Sequence, residues 1–497
     1  MSDPKFVFMR IKMNLFFFLL FVAGNLSAQN KTAEKFAAII TPQALKEKLS
    51  VIASADMQGR ETATEGQRKA AAYIETYFKK LKLLPGDSGN YQMEFPVYQD
   101  SVTSAIFSVN GKNFQFAEDF SNAGNTIAAN TWTITNIFFA GKGMQDSIQN
   151  DYDSSMKGKW VMIAPLGLNE KSSRQLTQRI NLAPQNGAIG LLVVSDNFPK
   201  KNYSPKSRMF NELPQSHFPV LFISRKIAEA ILDTILTENT AHKDYNTNIQ
   251  ITINKTTNYL QSTDVIGVLP GADKKDEYVF VTAHYDHLGI RDSMIYYGAD
   301  DDGSGTTAVL QIAQAFAAAR DKRHRPKRTI VFMTVSGEEK GLWGSEYYTN
   351  HPLFTLDSTS ADLNIDMIGR IDPSRNYGDS LNYVYTIGED KLSSDLMKIS
   401  DSINSTYTHL ELDRKFNDPK DPNRFYYRSD HYNFASKGVP IIFYFNGTHA
   451  DYHQPTDTVD KINFDLMSKR AKLIFYTAWE VANRDEMLKR DLPLNQR

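Results

Sequence analysis

Between Val279 and Asp366, four short segments that carry acidic residues or histidine follow or interrupt apolar runs of strand length. They read VFVTAHYDHLG, YGADDDGSGT, TIVFMTVSGEEKGLWGS and LNIDMIGR. A helical pattern from Ser304 to Arg320 separates two of the runs. The alternation of strand and helix predicts an α/β fold, with a mainly parallel central sheet and helices on both faces. Open sheets of this kind bind their ligands at the carboxyl ends of the strands, where these polar residues lie.

The residue types at these strand ends are those that bind zinc. Zinc accepts imidazole nitrogen and carboxylate oxygen, and a bridging carboxylate can hold two ions about 3.5–4 Å apart. His284 ends one strand, and Asp286 can accept the proton of the ring nitrogen that faces no metal, which fixes the tautomer. A later segment, DYHQPTDT from Asp451, supplies a second histidine. The candidate residues for a pair of zinc sites are His284, Asp301, Glu338, Glu339, Asp366 and His453.

The order and spacing of these segments resemble the co-catalytic di-zinc exopeptidases, the superfamily of bacterial leucyl aminopeptidase, glutamate carboxypeptidase and the transferrin receptor. That family carries His-x-Asp, Asp-Asp-Gly/Ala-Ser-Gly, Glu-Glu, an Asp at a strand end and a late Tyr-His. The resemblance implies that Asp301 bridges two zinc ions. It also implies that His284 and Asp366 complete one site, while Glu339 and His453 complete the other.

The resemblance further implies roles for residues that bind no metal. Glu338 would be the general base, and Tyr452 would donate a hydrogen bond to the developing oxyanion. The segment Arg428-Ser429-Asp430-His431 matches the family's RSDH, so Arg428 is a candidate substrate contact, with a structural ion pair as an equal alternative. In the family, the aspartates that match Asp301-Asp302 are joined by a cis peptide.

Several alternatives to this ligand set remain open. Calcium loops alternate their oxygen ligands as D-x-D-x-D-G, whereas the three aspartates of ADDDG are consecutive, which disfavours calcium. His449 is the one substitute for His453, although the Pro and Asp that follow His453 resemble the tail of the family's late histidine. We interpret His287 and His431 as supporting residues.

The first 28 residues predict export. Three basic residues precede an apolar stretch from Leu15 to Ala23, and Leu26-Ser27-Ala28 then supplies the small residues of a signal-peptidase site. Because that stretch is shorter than the ~20 residues of a membrane span, we expect a periplasmic or secreted protein with no stable span after cleavage. An uncleaved anchor is the alternative. The chain contains no cysteine, which excludes a lipoprotein and any disulfide.

The charge of the chain argues against nucleic acid as a partner. Loss of residues 1–28, which carry three basic residues and one acidic residue, changes the formal net charge from -1 to -3. Nucleic-acid-binding proteins instead carry a marked basic excess. The basic run Lys322–Arg328 is interrupted by Pro326 between a helix and a strand, which is typical of a solvated connection.

A length of 497 residues predicts two domains. Residues 117–253 contain strand patterns at Lys159–Ile163, Gly190–Val194 and Phe218–Ile223, and an amphipathic helix at Ser172–Leu182. This segment resembles the protease-associated domain inserted into such peptidases, and a lid or spacer role is favoured over substrate selection. Residues 29–116 and 254–497 would then form the zinc exopeptidase domain.

Two local patterns give further expectations. Thr64 and Gln67 form a capping-box pattern ahead of a helix that ends near Pro85-Gly86. The strands Asp264–Val268 and Tyr278–Ala283 are separated by a Pro-Gly turn, and their proximity in sequence favours pairing with each other.

The function that the motifs favour is that of an exported aminopeptidase with two zinc ions per chain and peptides as substrates. A carboxypeptidase or dipeptidase on the same metal site is the alternative. A binding module without activity is disfavoured because every ligand and the base are present. The complete two-metal set also disfavours the single-zinc chemistry of glutaminyl cyclisation.

Overall fold

The computed structural model of the chain describes residues 30–122, 127–164, 173–200, 204–213 and 218–493. The predicted signal peptide, residues 1–28, lies outside these residues. The chain forms two compact units, one containing the chain up to Phe95 together with Ser262–Arg497, and the other containing Pro96–Gln261. The second unit extends beyond 117–253 at both ends because most of the long strands Gln92–Val109 and Asp244–Leu269 belongs to it.

The helices and strands of the described residues are numbered in chain order. The helices α1 to α10 are Lys31–Ala37, Pro42–Ile52, Glu65–Lys80, Ser173–Gln185, Arg225–Leu232, Gly305–Asp321, Trp343–Asn350, Leu396–Ile403, His431–Ser436 and Phe464–Asn483. The strands β1 to β18 are Leu84–Pro85, Gln92–Val109, Lys112–Phe114, Phe120–Asn122, Asn130–Phe139, Trp160–Ile163, Gly190–Val194, Lys206–Phe210, Val220–Ile223, Asp244–Leu269, Lys274–His284, Gly289–Arg291, Met294–Tyr296, Arg328–Val335, Thr359–Ile365, Tyr383–Ile387, Glu411–Asp413 and Ile441–Phe445.

The strands of the first unit follow the order β17-β16-β18-β15-β11-β14-β10. The four strands β18, β15, β11 and β14 run parallel to their neighbours within this group. At the flanks, β16 is antiparallel to β18, and β10 is antiparallel to β14. The mainly parallel sheet predicted from the sequence is therefore confirmed.

The predicted pairing of β10 with β11 was wrong, because β14 lies between them. Val265 of β10 is opposite Thr334 of β14, and Val281 of β11 is opposite Phe332 of β14. All eight residues of β14 are buried. A strand that is buried along its whole length needs a partner on both edges to satisfy its backbone groups, and the central position supplies both.

Helices cover both faces of this sheet, as predicted. Side chains alternate between faces along a strand, so that Val279 and Val281 of β11 join one hydrophobic core while Phe280 joins another. The first core includes side chains of α2, α6 and α10. The second core includes Tyr348 of α7 and Phe434 of α9. Burial on both faces explains why these strands are continuous apolar runs rather than alternating ones.

The second unit has its own parallel strands and its own core. The order β5-β6-β7-β9-β4 is parallel from β5 to β9, and β4 is antiparallel to β9. Strands and helices predicted in this region are confirmed at β6, β7, β9 and α4. Its largest core cluster contains Phe107, Trp160 and Ile227. Neither this unit nor the other contains, among the described residues, a helix with both the length and the apolar composition to cross a membrane.

Helix α3 forms as predicted, but the hydrogen bonds at its N-terminus differ from the predicted capping box. Phe78 is fully buried on its apolar face. The capping box was wrong, because Thr64 makes no side-chain cap and instead donates its hydroxyl proton to the carbonyl of Glu61. The side chain of Gln67 is directed into the interior, where it is 1% exposed and donates to Thr263. A tertiary partner for Gln67 thus replaces the local contact that the sequence pattern favours.

The buried guanidinium of Arg470 joins α10 to the ends of two strands. It donates to the carbonyls of Tyr383, at 2.9 Å, of Ile368, at 2.9 Å, and of Arg370, at 2.6 Å. The arginine is fully buried, and burial lowers its pKa to about 10. The segment that follows the site residue Asp366 is therefore fixed to the last helix.

We expect Arg470→Met to lower the free energy of unfolding by about 3 kcal/mol, because three buried carbonyls lose a charged donor. Lys469→Met is the matched control, since Lys469 lies one residue earlier on the same helix and donates an exposed hydrogen bond to Asn382. It should change the stability by less than about 0.5 kcal/mol. Urea unfolding midpoints measure the stability of both variants. Equal midpoints for the two would contradict this role of Arg470.

Candidate metal centre

The candidate ligands meet at one edge of the sheet because they follow parallel strands. His284 is the last residue of β11, Asp366 comes directly after β15, and Glu339 follows the end of β14 by four residues. His453 lies in the loop after β18. Asp301 lies in the turn just before α6 and is joined to the next aspartate by a cis peptide. The sequence brings none of these residues together locally; the parallel sheet does.

Asp301 stands between two groups of side chains. Its Oδ1 lies 3.2 Å from Nε2 of His284, and its Oδ2 lies 3.1 Å from Nε2 of His453. On the first side, His284 Nε2 is 3.7 Å from Oδ1 of Asp366. On the second side, His453 Nε2 is 3.2 Å from Oε2 of Glu339. One carboxylate therefore offers a separate oxygen to each of two ligand groups.

The spacing of these atoms fits zinc. Ligand atoms about 2.0–2.1 Å from one tetrahedral ion lie about 3.3 Å from each other, close to the separations around Asp301. Several of the atoms also have no hydrogen-bond partner among the described residues, although they are buried: Nε2 of His284, Oδ2 of Asp301 and Oε1 of Glu339. Buried polar atoms without a partner are costly, and one cation in each of the two groups would satisfy them.

The electrostatics of the cluster also favour a cation. Burial alone would raise the pKa of Asp301, but the contacts with His284 and His453 hold it well below its usual range. Burial and the charge of Asp301 oppose ionisation of Glu339, yet His287 and His453 lower its pKa to about 2. Burial would lower the pKa of His453, whereas Asp301 and Glu339 raise it to about 10. In the protein alone, protons on histidines thus supply the positive charge that a metal would supply.

The orientation of His284 differs in detail from the expectation. Its Nδ1 lies 3.0 Å from the main-chain carbonyl of Asp286, while the Asp286 carboxylate is 3.7 Å away. That carboxylate instead accepts the hydroxyl proton of Thr62 at 2.7 Å and the amide proton of Glu338 at 3.3 Å. Asp286 therefore orients His284 through its backbone and the Glu338 segment through its side chain.

Sequence reasoning missed two residues that orient ligands. Ser429 donates to Oδ2 of Asp366 at 2.7 Å, and Ser429 in turn accepts from the amide of Asn364 at 3.0 Å. Asp457 accepts the main-chain amides of Asp300 and Asp301 at 3.0–3.1 Å. Ser429 lies within the RSDH segment, and an acidic residue four positions after His453 could have drawn attention to Asp457.

A third orienting residue, Arg60, lies far from the site in sequence. It is fully buried, and its guanidinium donates to the carbonyls of Ile52, Tyr285, Tyr297 and Gly298 at 2.7–2.9 Å. Two of these carbonyls lie beside His284 and the acidic turn. Arg60 therefore holds together the two loops that carry the first ligands, and no pattern in the sequence indicated it.

Glu338, Tyr452 and Arg428 line one cavity together with Asp301 and Asp366. Oε2 of Glu338 lies 3.9 Å from Nε2 of His284. Burial, together with the charges of Glu339 and Asp366, raises the pKa of Glu338 well above its usual range. The hydroxyl of Tyr452 lies 3.3 Å from an Arg428 nitrogen. Four further described residues, Met367, Phe425, Phe443 and Phe445, give the cavity an apolar wall.

The three histidines named in the sequence as supporting residues or as an alternative ligand, His287, His431 and His449, occupy different positions. Nε2 of His449 lies 3.1 Å from Asp300, away from the ligand groups around Asp301. His431 is fully buried and contacts the carbonyl of Tyr426 at 2.9 Å. His287, in contrast, lies inside the cluster, where its Nδ1 is 2.7 Å from Oε1 of Glu339.

Comparison with known proteins points to a peptidase. The model of peptidase family M28 matches residues 264–478. A probable zinc metalloprotease of Pyrenophora tritici-repentis is 26% identical over 265 residues, which are 45% of this chain and 52% of the relative. A probable leucine aminopeptidase of Arthroderma otae is 29% identical over 221 residues, which are 43% of this chain and 56% of the relative. The chain thus spans about half the length of these relatives.

Solved structures share the fold. A zinc aminopeptidase from Bacillus subtilis has a TM-score of 0.54 at 20% sequence identity, with 91% of this chain and 99% of that chain covered. An aminopeptidase from Aneurinibacillus sp. strain AM-1 has a TM-score of 0.54 at 15% identity, with 92% of this chain and 97% of that chain covered.

Proposed function

We propose that the chain is an exported di-zinc aminopeptidase of peptidase family M28, whose model matches residues 264–478. The observation that carries the proposal is the position of Asp301, whose two oxygens face His284 and His453 separately. His284, Asp301 and Asp366 would hold one zinc ion, and Asp301, Glu339 and His453 would hold the other. The names of the relatives support zinc and peptide hydrolysis.

The charge of the cavity supports an aminopeptidase rather than a carboxypeptidase. Three of its described lining residues are carboxylates, Asp301, Glu338 and Asp366, whereas Arg428 is the one basic side chain among them. A pocket for a substrate's C-terminal carboxylate would need a cluster of basic side chains, which the described lining does not contain. Arg428 also contacts Tyr452, which supports a role in placing that hydroxyl.

When bound, zinc ions polarise the substrate carbonyl and lower the pKa of water. Glu338 is suited to accept the proton of the attacking water and to return it to the leaving amine, because it lines the cavity and is not needed by either ligand group. Its amide is fixed by Asp286. Tyr452, on the same cavity, would donate its hydroxyl proton to the oxyanion. The apolar wall would exclude water and receive a side chain of the substrate.

Glu338→Gln should retain zinc and lose most of its turnover, by about 10²–10⁴-fold in kcat, because the amide cannot accept the proton. Metal analysis and steady-state kinetics on the same sample measure both quantities. Glu346→Gln, on helix α7 outside the cavity lining, is the control and should behave as the unmodified protein. Simultaneous loss of zinc and turnover in Glu338→Gln would show that Glu338 is a ligand.

The protein without residues 1–28 should cleave aminoacyl-p-nitroanilides and leave their N-acetylated counterparts intact. An aminopeptidase acts on a substrate whose first residue has a free amino group, and acetylation removes that group. Zinc measured on the same sample should be about two ions per chain. If the protein cleaves only substrates with a free carboxyl end, a carboxypeptidase replaces the aminopeptidase; cleavage of unblocked dipeptides alone indicates a dipeptidase.

Export is supported by the basic residues, the apolar stretch and the small residues near Ala28 that residues 1–28 contain. Mass spectrometry of the mature protein should find Gln29 at the N-terminus, in the periplasmic or extracellular fraction. An intact N-terminus in the membrane fraction would instead indicate an uncleaved anchor.

A further inference from the structure

We propose that His287 is a metal ligand, so that one metal site has four protein ligands while the other has three. The proposal rests on the proposed function in one respect, that zinc binds on both sides of Asp301. Nδ1 of His287 lies 2.7 Å from Oε1 of Glu339 and 3.8 Å from Oδ2 of Asp301. His287, Asp301 and Glu339 can each offer one atom within 4.8 Å of the others. His453 contacts the same two carboxylates from another direction.

Apart from the carboxylates of Asp301 and Glu339, no described residue offers a partner to the ring nitrogens of His287. The residue is fully buried, and neither Nδ1 nor Nε2 has a hydrogen-bond partner among the described residues. The contact with Glu339 is short but lacks the geometry of a hydrogen bond. A lone pair aimed between two carboxylates is expected of a ligand, whereas a buried histidine with a structural role normally has a partner.

The backbone around His287 holds the ring in this position. Its main-chain amide donates to the carbonyl of Arg60 at 3.2 Å. On one side the ring packs against Gly298, where a Cβ atom would come within 2.5 Å of Cγ and Cδ2 of the histidine. Arg60 also binds the carbonyl of Gly298. On another side the ring meets that of His453, with centroids 5.9 Å apart and the planes at 66°. The ring is thus fixed before any metal binds.

A four-ligand site gives the two ions different roles. Zinc held by four protein ligands is closed, whereas zinc with three keeps a position open for water or substrate. The group of His287, Asp301, Glu339 and His453 would form the closed site. The group of His284, Asp301 and Asp366 would form the open site. Glu338 lies 3.9 Å from His284 Nε2, so the proposed base stands next to the open site.

The test compares the protein lacking residues 1–28 with its variants His287→Gln and His287→Asn. Zinc per chain, zinc affinity in competition with a chelator, and the number of imidazole ligands from zinc X-ray absorption are measured. His449→Gln is the control, because His449 is also buried against a carboxylate and the glutamine amide can still donate to Asp300. Thermal unfolding of the metal-free proteins shows whether each variant folds.

We expect His287→Gln to lower the affinity for one of the two zinc ions by more than about 100-fold. A residue that only orients a ligand typically costs 10–100-fold in affinity. His287→Asn should lose less zinc affinity, since the side-chain oxygen of asparagine lies near the place of Nδ1 in histidine. The unmodified protein should show three imidazoles shared by two ions, and His287→Gln should show two. His449→Gln should leave the affinity and the imidazole count unchanged.

Four results would overturn the proposal in distinguishable ways. Unchanged zinc affinity in His287→Gln would remove His287 from the site and leave the di-zinc function intact. A moderate loss with an unchanged imidazole count would make His287 a positioning residue that acts through Glu339. If the unmodified protein binds no zinc, the proposed function itself fails. Should both variants fail to fold, two imidazoles in the unmodified protein would still overturn the proposal.

Discussion

The carboxylate of Asp301 is shared by two groups of side chains, and much of the surrounding structure holds it in place. Its oxygens face different histidines, at 3.2 Å and 3.1 Å. Asp457 fixes the backbone of the turn that carries it, and Arg60 fixes the carbonyl of Gly298 at the start of that turn. A shared ligand is useful only if it is rigid, because a shift of one oxygen disturbs both groups. The contacts made by Asp457 and Arg60 are therefore as important to the centre as the candidate ligands themselves.

This arrangement concentrates buried charge that the protein alone balances poorly. The side chains of Asp301 and Glu339 are 4% and 3% exposed, and in the absence of a metal their ionisation depends on protons held by histidine. Bound cations would replace those protons and relieve the atoms that lack partners. Metal binding and stability are then linked, because a ligand that binds only the folded state stabilises it. Since the chain has no cysteine, no disulfide contributes to that stability.

The parallel sheet explains why residues from distant parts of the chain can form one centre. β11, β14, β15 and β18 have their carboxyl ends at one edge, and helices bury both of their faces. The strands are rigid because they are fully buried, while the loops at their ends are free to carry polar residues. The two sides of Asp301 differ, however. His287 lies on the side of Glu339 and His453, and Glu338 lies beside the other, so the side chains on the two sides of Asp301 are not equivalent.

The sequence by itself determined the α/β class, the positions of several strands and helices, and the residue types at the strand ends. These features are local: apolar runs of strand length, helical spacing, and acidic or histidine residues directly after them. Strand β7 has the predicted bounds for this reason.

The tertiary structure decided what depends on contacts between distant residues. It placed β14 between β10 and β11, turned Gln67 away from its local cap, and gave the second unit its extent. It also decided the neighbours of three histidines: His287 lies beside Glu339, His449 beside Asp300, and His431 against a carbonyl. A histidine's neighbours across the sheet edge, which no local pattern encodes, determine whether its lone pair faces a carboxylate cluster or a backbone group.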